Sequence, residues 1–368
     1  MVHVFLVSSW LFAILFGLFA LSMFLIGNSL QAIVLLGVML LLLPPVRTLI
    51  HNQVGKSFSP WVYVISIVIL LAAFSWISSR NKLSSIYTSP QVKAQLMEIY
   101  DAKMNDWPVP YESVYIDTVY GKVHVIVSGP KDAPPLLLLH ASGVAAWSWM
   151  YNVQALSQHY RTYAIDLVGD AGRSEYDSLE NRMHDGQDQA NLYTEITDQL
   201  GVEKAYVVGA SEGGFIGSNY ALYAPERVEK LVLLGPMGYA GATQSIMRIT
   251  FASLFPLKPI QESTFHWAFG DNPKLDEAFG VWFRLTMSCV PQKVAPMPLT
   301  PEQRQSIQAP VLFVFGEKDN LVGDPVKATA LVQDIQDVRV EVLDSGHLLG
   351  AEQPEQANAL ILDFFEQD

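Results

Sequence analysis

Ser211, Asp319 and His347 are side chains of the types that attack carbonyls and move protons, and they follow one another in that order along a 368-residue chain. Ser211 lies in "AYVVGASEGGFIGSNYALYAPERV", where an apolar run reaches Gly209 and a helical pattern starts at Gly213. A strand that turns directly into a helix holds the serine hydroxyl clear of the sheet. Gly209 and Gly213 lack the Cβ atoms that would clash on so tight a bend. G-x-S-x-G in this setting is a nucleophile elbow. The amides of Ser211 and Glu212 then lie at a helix N-terminus, where N–H groups favour an oxyanion.

The pentapeptide alone is also compatible with a flexible turn, so its partners matter. "VLFVFGEKDNLV" places Asp319 just past a strand, with Glu317 as the rival acid, and "VEVLDSGHLLGAEQPE" places His347 between the last strand and a helix. The order Ser, Asp, His is that of an α/β-hydrolase triad. His347 would take the Ser211 proton during attack, while Asp319 would hold the imidazole tautomer and stabilise the imidazolium. "LLLLHASGVAAWSW" supplies a loop at a strand end, and the Ser142 amide there is the second oxyanion donor beside that of Glu212. His140 reads as a loop-packing residue at the edge of a substrate pocket rather than as a base. The Glu212 side chain either points away from the site or recognises a cationic or hydroxylated group.

The elements that must position these groups are legible as short apolar runs. "SVYIDT" and "KVHVIV" flank a "VYGK" turn and form a hairpin, and runs at 135–140, 162–166, 205–209, 230–235, 311–316 and 338–343 suit strands buried on both faces. With helix-length stretches between most of them, the expectation is a mostly parallel eight-stranded sheet with helices on both faces over residues 111–368.

Over roughly residues 110–368 the chain resembles the α/β-hydrolase family. "WPVPYESVYIDTVYGKVHVIVSGPKDAPPLLLLH" together with "YRTYAIDLVGD" is similar to bacterial carboxylesterases of the naproxen-esterase type. The resemblance implies hydrolysis of carboxylic esters through an acyl-enzyme on Ser211, with no cofactor. Two departures stand out. Ala141 replaces the family's glycine after His140, which would strain the oxyanion loop if a positive φ were needed there. "DLVGDAGRS" (166–174) is one residue longer than the family's D-x-x-G-x-G-x-S. In this family an insertion such as 237–308 forms a cap over the site. Here it carries Phe251, Phe255, Phe265, Trp267, Phe269, Phe279, Trp282, Phe283 and Met287 at roughly helical spacings. Most of these must be the cap's own core, and Trp267 and Trp282 are the expected walls of a dry acyl pocket.

The first 97 residues contain no Asp or Glu and only five bases, whereas the rest holds all 36 acids against 18 bases, a net of −18. Three apolar spans are expected within a transmembrane region, 1–78, at about 4–26, 30–50 and 60–78, the first long enough at about 34 Å to cross the hydrocarbon core. A linker with a short amphipathic helix, 79–110, would follow. No Lys or Arg precedes Arg47, which argues against a cleaved signal peptide. The basic loop between spans two and three favours an extracytoplasmic hydrolase domain in an integral membrane protein, nearly balanced by Arg80 and Lys82 beyond span three. The acidic globular part argues against nucleic acid as a partner, and no HExxH, CxxC or GxxxxGK[ST] suggests a metal or nucleotide. The expected function is a membrane-anchored serine hydrolase acting on small or lipid-like esters. An acyltransferase or cofactor-free haloperoxidase using the same triad, or a membrane-tethered ligand-binding protein, is the alternative.

Overall fold

The computed structural model describes residues 2–25, 29–54, 59–80, 85–239, 248–249, 251–252, 257–270 and 272–367. The chain divides into two compact units, one of Met1–Ser84 with Thr250–Ile260 and one of Ser85–Ile249 with Gln261–Asp368.

The second unit is built on a sheet of strands β1 (Tyr111–Thr118), β2 (Gly121–Ser128), β3 (Pro135–Leu139), β4 (Arg161–Ile165), β5 (Glu175–Tyr176), β6 (Ala205–Ala210), β7 (Val228–Leu234), β8 (Val311–Gly316) and β9 (Val338–Leu343). Eight of them run in the order β1-β2-β4-β3-β6-β7-β8-β9, and the two-residue β5 joins the side of β2. The β1–β2 hairpin is antiparallel, β2 meets β4 antiparallel, and every pair from β4 through β9 is parallel. Strands buried on both faces explain the uninterrupted apolar runs. Along β3, Leu136 and Leu138 join one core while Leu137 and Leu139 join the other, and β8 divides Leu312 and Val314 from Val311, Phe313 and Phe315 in the same way.

Helices cover both faces. Glu212–Tyr223 packs against β3, β6 and β7, and against helix Gly186–Gln199. Helix Pro90–Asn105, expected as part of a linker, is part of this unit: Ser89 caps it through an Oγ that accepts from the Val92 amide at 3.2 Å, and Leu96, Tyr100 and Met104 recur every four residues on its buried face. Winding reverses at β3, which has β4 on one side and β6 on the other. Loops leaving the carboxyl ends of β3 and β6 therefore diverge and leave a crevice, where open α/β sheets hold their ligands.

In the first unit, helices Val2–Leu25, Ser29–Leu42, Pro44–Val54 and Pro60–Arg80 cover the expected spans. The second span is corrected: 30–50 is not one helix but a pair bent by 80° at Leu43. Pro44 and Pro45 supply no N–H to the preceding turn, and a proline ring clashes with the carbonyl four residues back, so the helix ends and restarts. Among the described residues no single helix is long and apolar enough to cross a membrane; the bent pair passes only jointly, and shorter apolar helices run over Ser9–Leu21 and Trp61–Phe74.

Candidate active site

Ser211 stands where β6 ends and helix Glu212–Tyr223 begins. Its φ is +51°, and it is the only non-glycine residue with positive φ among those described. Such a conformation costs of order 1–3 kcal/mol and persists only when its surroundings over-determine it. They do so here. The Ser211 amide donates to Leu234 O at 2.9 Å, the Ser211 carbonyl accepts from Gly214, Phe215 and Met237, and the Gly213 amide donates to His140 O at 3.1 Å. A Cβ on Gly213 would lie 2.1 Å from Leu139 O and one on Gly209 2.3 Å from Gly213 O, so both glycines are required by close backbone approach.

The three expected residues come together. His347 Nε2 lies 2.8 Å from Ser211 Oγ, and His347 Nδ1 lies 2.7 Å from Asp319 Oδ2. All three side chains are buried. The other carboxylate oxygen, Asp319 Oδ1, accepts from the amides of Leu321 and Val322 at 2.8 and 2.9 Å. Burial pushes Asp319 up, but the charge and hydrogen bond of His347 and those two amides outweigh it and hold the carboxyl below its usual range. An ionised Asp319 keeps the proton on Nδ1, leaving the Nε2 lone pair to accept from the serine hydroxyl. Glu317, the rival acid, is exposed. Glu352 was not legible as part of this site. Its carboxylate accepts from the amides of Gly346 and Leu348, at 2.7 and 2.9 Å, and so clamps the loop on both sides of His347.

The loop after β3 faces the elbow because Leu139 pairs with Gly209. Ala141 is not in the left-handed region; Gly143 is, with φ +71°. The strain anticipated at Ala141 is therefore absent, the turn being made two residues later. Among the described residues no hydrogen-bond partner is found for the amides of Ser142 and Glu212, whereas the amides next to them are taken: Gly143 donates to Asp170 Oδ2 at 3.0 Å and Gly213 to His140 O. His140 is a packing residue. Its Nε2 accepts from the Leu167 amide at 3.0 Å, which leaves Nδ1 protonated to donate to Ala141 O at 2.8 Å.

Glu212 neither points away nor waits for an external cation, because a lysine of the chain already holds it. Lys293 Nζ donates to Glu212 Oε2, to Ser142 Oγ and, at 3.2 Å, to Asp170 Oδ2. Burial pulls Lys293 down, yet Asp170 and Glu212 raise it well above its ordinary value, so the ammonium is charged. Glu212 is raised as well, its burial outweighing the help of Lys293. One ammonium thus grips side chains of both residues whose amides are the candidate oxyanion donors. A single lysine in "VPQKVAPMPL" carries no local signal of this.

A small cavity of about 40 Å³ opens against His347, walled by Ala141, Val144, Trp149, Phe279, Leu348 and Leu349. None of the three expected pocket residues lines it. Trp282 is fully buried behind the wall, edge-on to Trp147 at 5.6 Å, and Trp147 in turn stacks on Phe279 at 5.1 Å. The Trp267 ring lies under the Arg248 guanidinium at 4.9 Å, and its carbonyl accepts from Asn320. Phe265, Phe269 and Phe283 pack edge to face as core of the insertion, Phe251 is exposed, and Phe255 lies outside the described residues.

A family profile for the alpha/beta hydrolase fold matches residues 134–258. The chain is 36% identical to carboxylesterase YbfK of Bacillus subtilis (strain 168) over 281 residues, which is 73% of this chain and 92% of that protein. It is 31% identical to the carboxylesterase nap of the same strain over 298 residues, or 78% and 98% of the two chains. Among solved structures it is similar to naproxen esterase from Bacillus subtilis, with a TM-score of 0.69 and 30% identity over 74% of this chain and 97% of that one.

Removing the cation of the buried cluster strands two carboxylates. Lys293→Met is expected to lower the unfolding free energy by about 3–5 kcal/mol, and Glu212→Gln added to it to recover part of that loss. Urea unfolding followed by circular dichroism measures both, and an unchanged midpoint in Lys293→Met would show the cluster to be energetically idle.

Proposed function

Because this chain belongs to the α/β-hydrolase family and is a carboxylic ester hydrolase, we propose that it cleaves its ester by acyl transfer to Ser211. The reading is carried by the continuous hydrogen-bonded path from Ser211 Oγ through His347 to Asp319, at 2.8 and 2.7 Å. Ser211 Oγ attacks the ester carbonyl as His347 Nε2 takes its proton. The tetrahedral oxyanion is received by the amides of Ser142 and Glu212, the alcohol leaves with the proton from His347, and water attacks the acyl-enzyme by the same route. Asp319, ionised beside the imidazole, lowers the cost of the transient imidazolium. The cavity beside His347 has room for an acyl group of a few carbons as it stands, and Phe279 is the side chain that the long insertion contributes to its wall.

We also propose that the first unit associates with lipid, so that the substrates include membrane-dissolved esters. Its packing is inverted relative to a protein in water: Ala13, Ala20 and Ala32 are buried, while Leu11, Ile33, Trp61 and Ile69 are each more than 60% exposed. Apolar patches of this kind mark a surface that another apolar phase covers.

A fluorophosphonate probe should label the parent rapidly, and Ser211→Ala or His347→Ala should lower the labelling rate and the hydrolysis of p-nitrophenyl acetate by at least roughly 10⁴-fold. A folded parent that takes up no probe would overturn the acyl-enzyme. On a series of p-nitrophenyl esters, acetate and propionate are expected to be favoured, and Phe279→Ala to shift the optimum towards longer acyl chains; an unshifted series would remove Phe279 from the acyl wall. The full chain in membranes should resist extraction with alkaline carbonate, and release into the supernatant would sink the lipid association.

A further inference from the structure

A second serine, remote in sequence from the elbow, is wired in the same manner. Ser113 is on β1, the edge strand, and pairs with Ile126, which puts it diagonal to His124 on the same face of β2. Ser113 Oγ lies 2.7 Å from His124 Nε2, and His124 Nδ1 lies 2.9 Å from Asp166 Oδ2. His124 and Asp166 are fully buried, whereas Ser113 is exposed. Asp166 is held as firmly as Asp319 is. Its Oδ1 accepts from the Ala146 amide at 2.8 Å, and its Oδ2 also accepts from Tyr100 Oη at 2.9 Å and the Arg173 amide at 3.1 Å. Burial pushes the Asp166 carboxyl up, but the hydrogen bond and charge of His124 outweigh this and keep it low. An ionised Asp166 fixes the proton on His124 Nδ1, so Nε2 is free to accept from the Ser113 hydroxyl.

Ser113 opens onto a surface cleft of about 790 Å³, shared with Tyr115, Lys122, Arg173, Glu175 and Asp177. Nothing in the reaction at Ser211 uses this cleft. From this geometry we infer that Ser113 is a second nucleophile, an acyl-accepting site for activated esters. Ser113 Oγ bonds to the acyl carbon, the bond to the phenolate leaving group breaks, and the serine proton passes to His124 Nε2 and on to solvent. The products are acyl-Ser113, the phenolate and one proton. No helix N-terminus stands at a strand-borne serine, so the oxyanion lacks the paired amides that serve Ser211. Only donors with good leaving groups therefore react, and the adduct persists instead of turning over. Lys122 and Arg173, the cations on the cleft wall, are already paired with Asp117 and Asp101.

The test uses the full-length Ser211→Ala chain, exposed separately to a fluorophosphonate and to p-nitrophenyl acetate, digested, and mapped by tandem mass spectrometry. Ser306 serves as an internal standard: it is exposed, and among the described residues its hydroxyl donates only to the Glu302 carbonyl, at 2.8 Å. Ser113 should acquire its adduct at least about 100-fold faster than Ser306, the lower bound for help from a positioned base, and His124→Gln should abolish the excess. Equal rates at the two serines overturn the inference, as does an excess that survives in a folded His124→Gln chain. Should His124→Gln fail to fold, the ratio of Ser113 to Ser306 in the Ser211→Ala chain decides alone.

Discussion

Most of the active centre depends on one backbone constraint, the left-handed turn at Ser211. A residue with a Cβ adopts that φ only under compulsion, and the compulsion comes from three directions. The Leu234 carbonyl at the end of β7 takes the Ser211 amide, the His140 carbonyl at the end of β3 takes the Gly213 amide, and Gly209 and Gly213 let the backbones close to within a distance no side chain would allow. The same bonds that hold the strained serine also fix the spacing between elbow and oxyanion loop. Strain at the nucleophile and order around it are one arrangement.

Charge is handled differently on the two sides of Ser211. On the imidazole side a buried carboxylate is kept ionised by His347 and two amides, so that it can stabilise a cation that forms only during reaction. On the oxyanion side the acids Asp170 and Glu212 are already met by Lys293, and their field does not bear unopposed on the place where negative charge must develop. Lys293 thereby offsets the acid that stands next to the nucleophile. The lysine belongs to the long insertion, so that segment contributes an ion to the centre as well as covering it.

Legibility followed the locality of each signal. The strands were readable because alternate residues serve two cores, which forces apolar character at every position, and the elbow was readable because its glycines and serine fall within one pentapeptide between a strand and a helix, although the contact that demands Gly213 is with distant Leu139. Asp319 and His347 were readable from chain order and their place after strands. Lys293 and Asp170 were not, because each acts on a partner brought near by the tertiary fold: Lys293 lies 81 residues from Glu212 and 151 from Ser142. Glu352 acts locally, on amides four and six residues away, but a lone glutamate at that spacing forms no motif. The pocket failed for a related reason. Spacing identifies which aromatics share a helix face but not which face lines the cavity at His347, and Phe279 reaches that lining from a π-helical stretch, Asp276–Gly280, that alters the helical phase just before Trp282.

The sequence by itself determined the class of the protein: a parallel sheet, a nucleophile elbow and an acid and base in the order that an α/β hydrolase requires, together with an acid-free apolar N-terminal segment. Local sterics, two-residue alternation and connectivity suffice for those, since each is a property of neighbouring residues or of their order. What only the tertiary structure decided was which polar groups meet. The lysine that grips the oxyanion loop, the small cavity in place of an aromatic slot, and the imidazole between Ser113 and Asp166 all rest on contacts between distant segments. Distances of 2.7–3.2 Å between such groups depend on the register of strands and the packing of helices, which no single stretch of chain encodes.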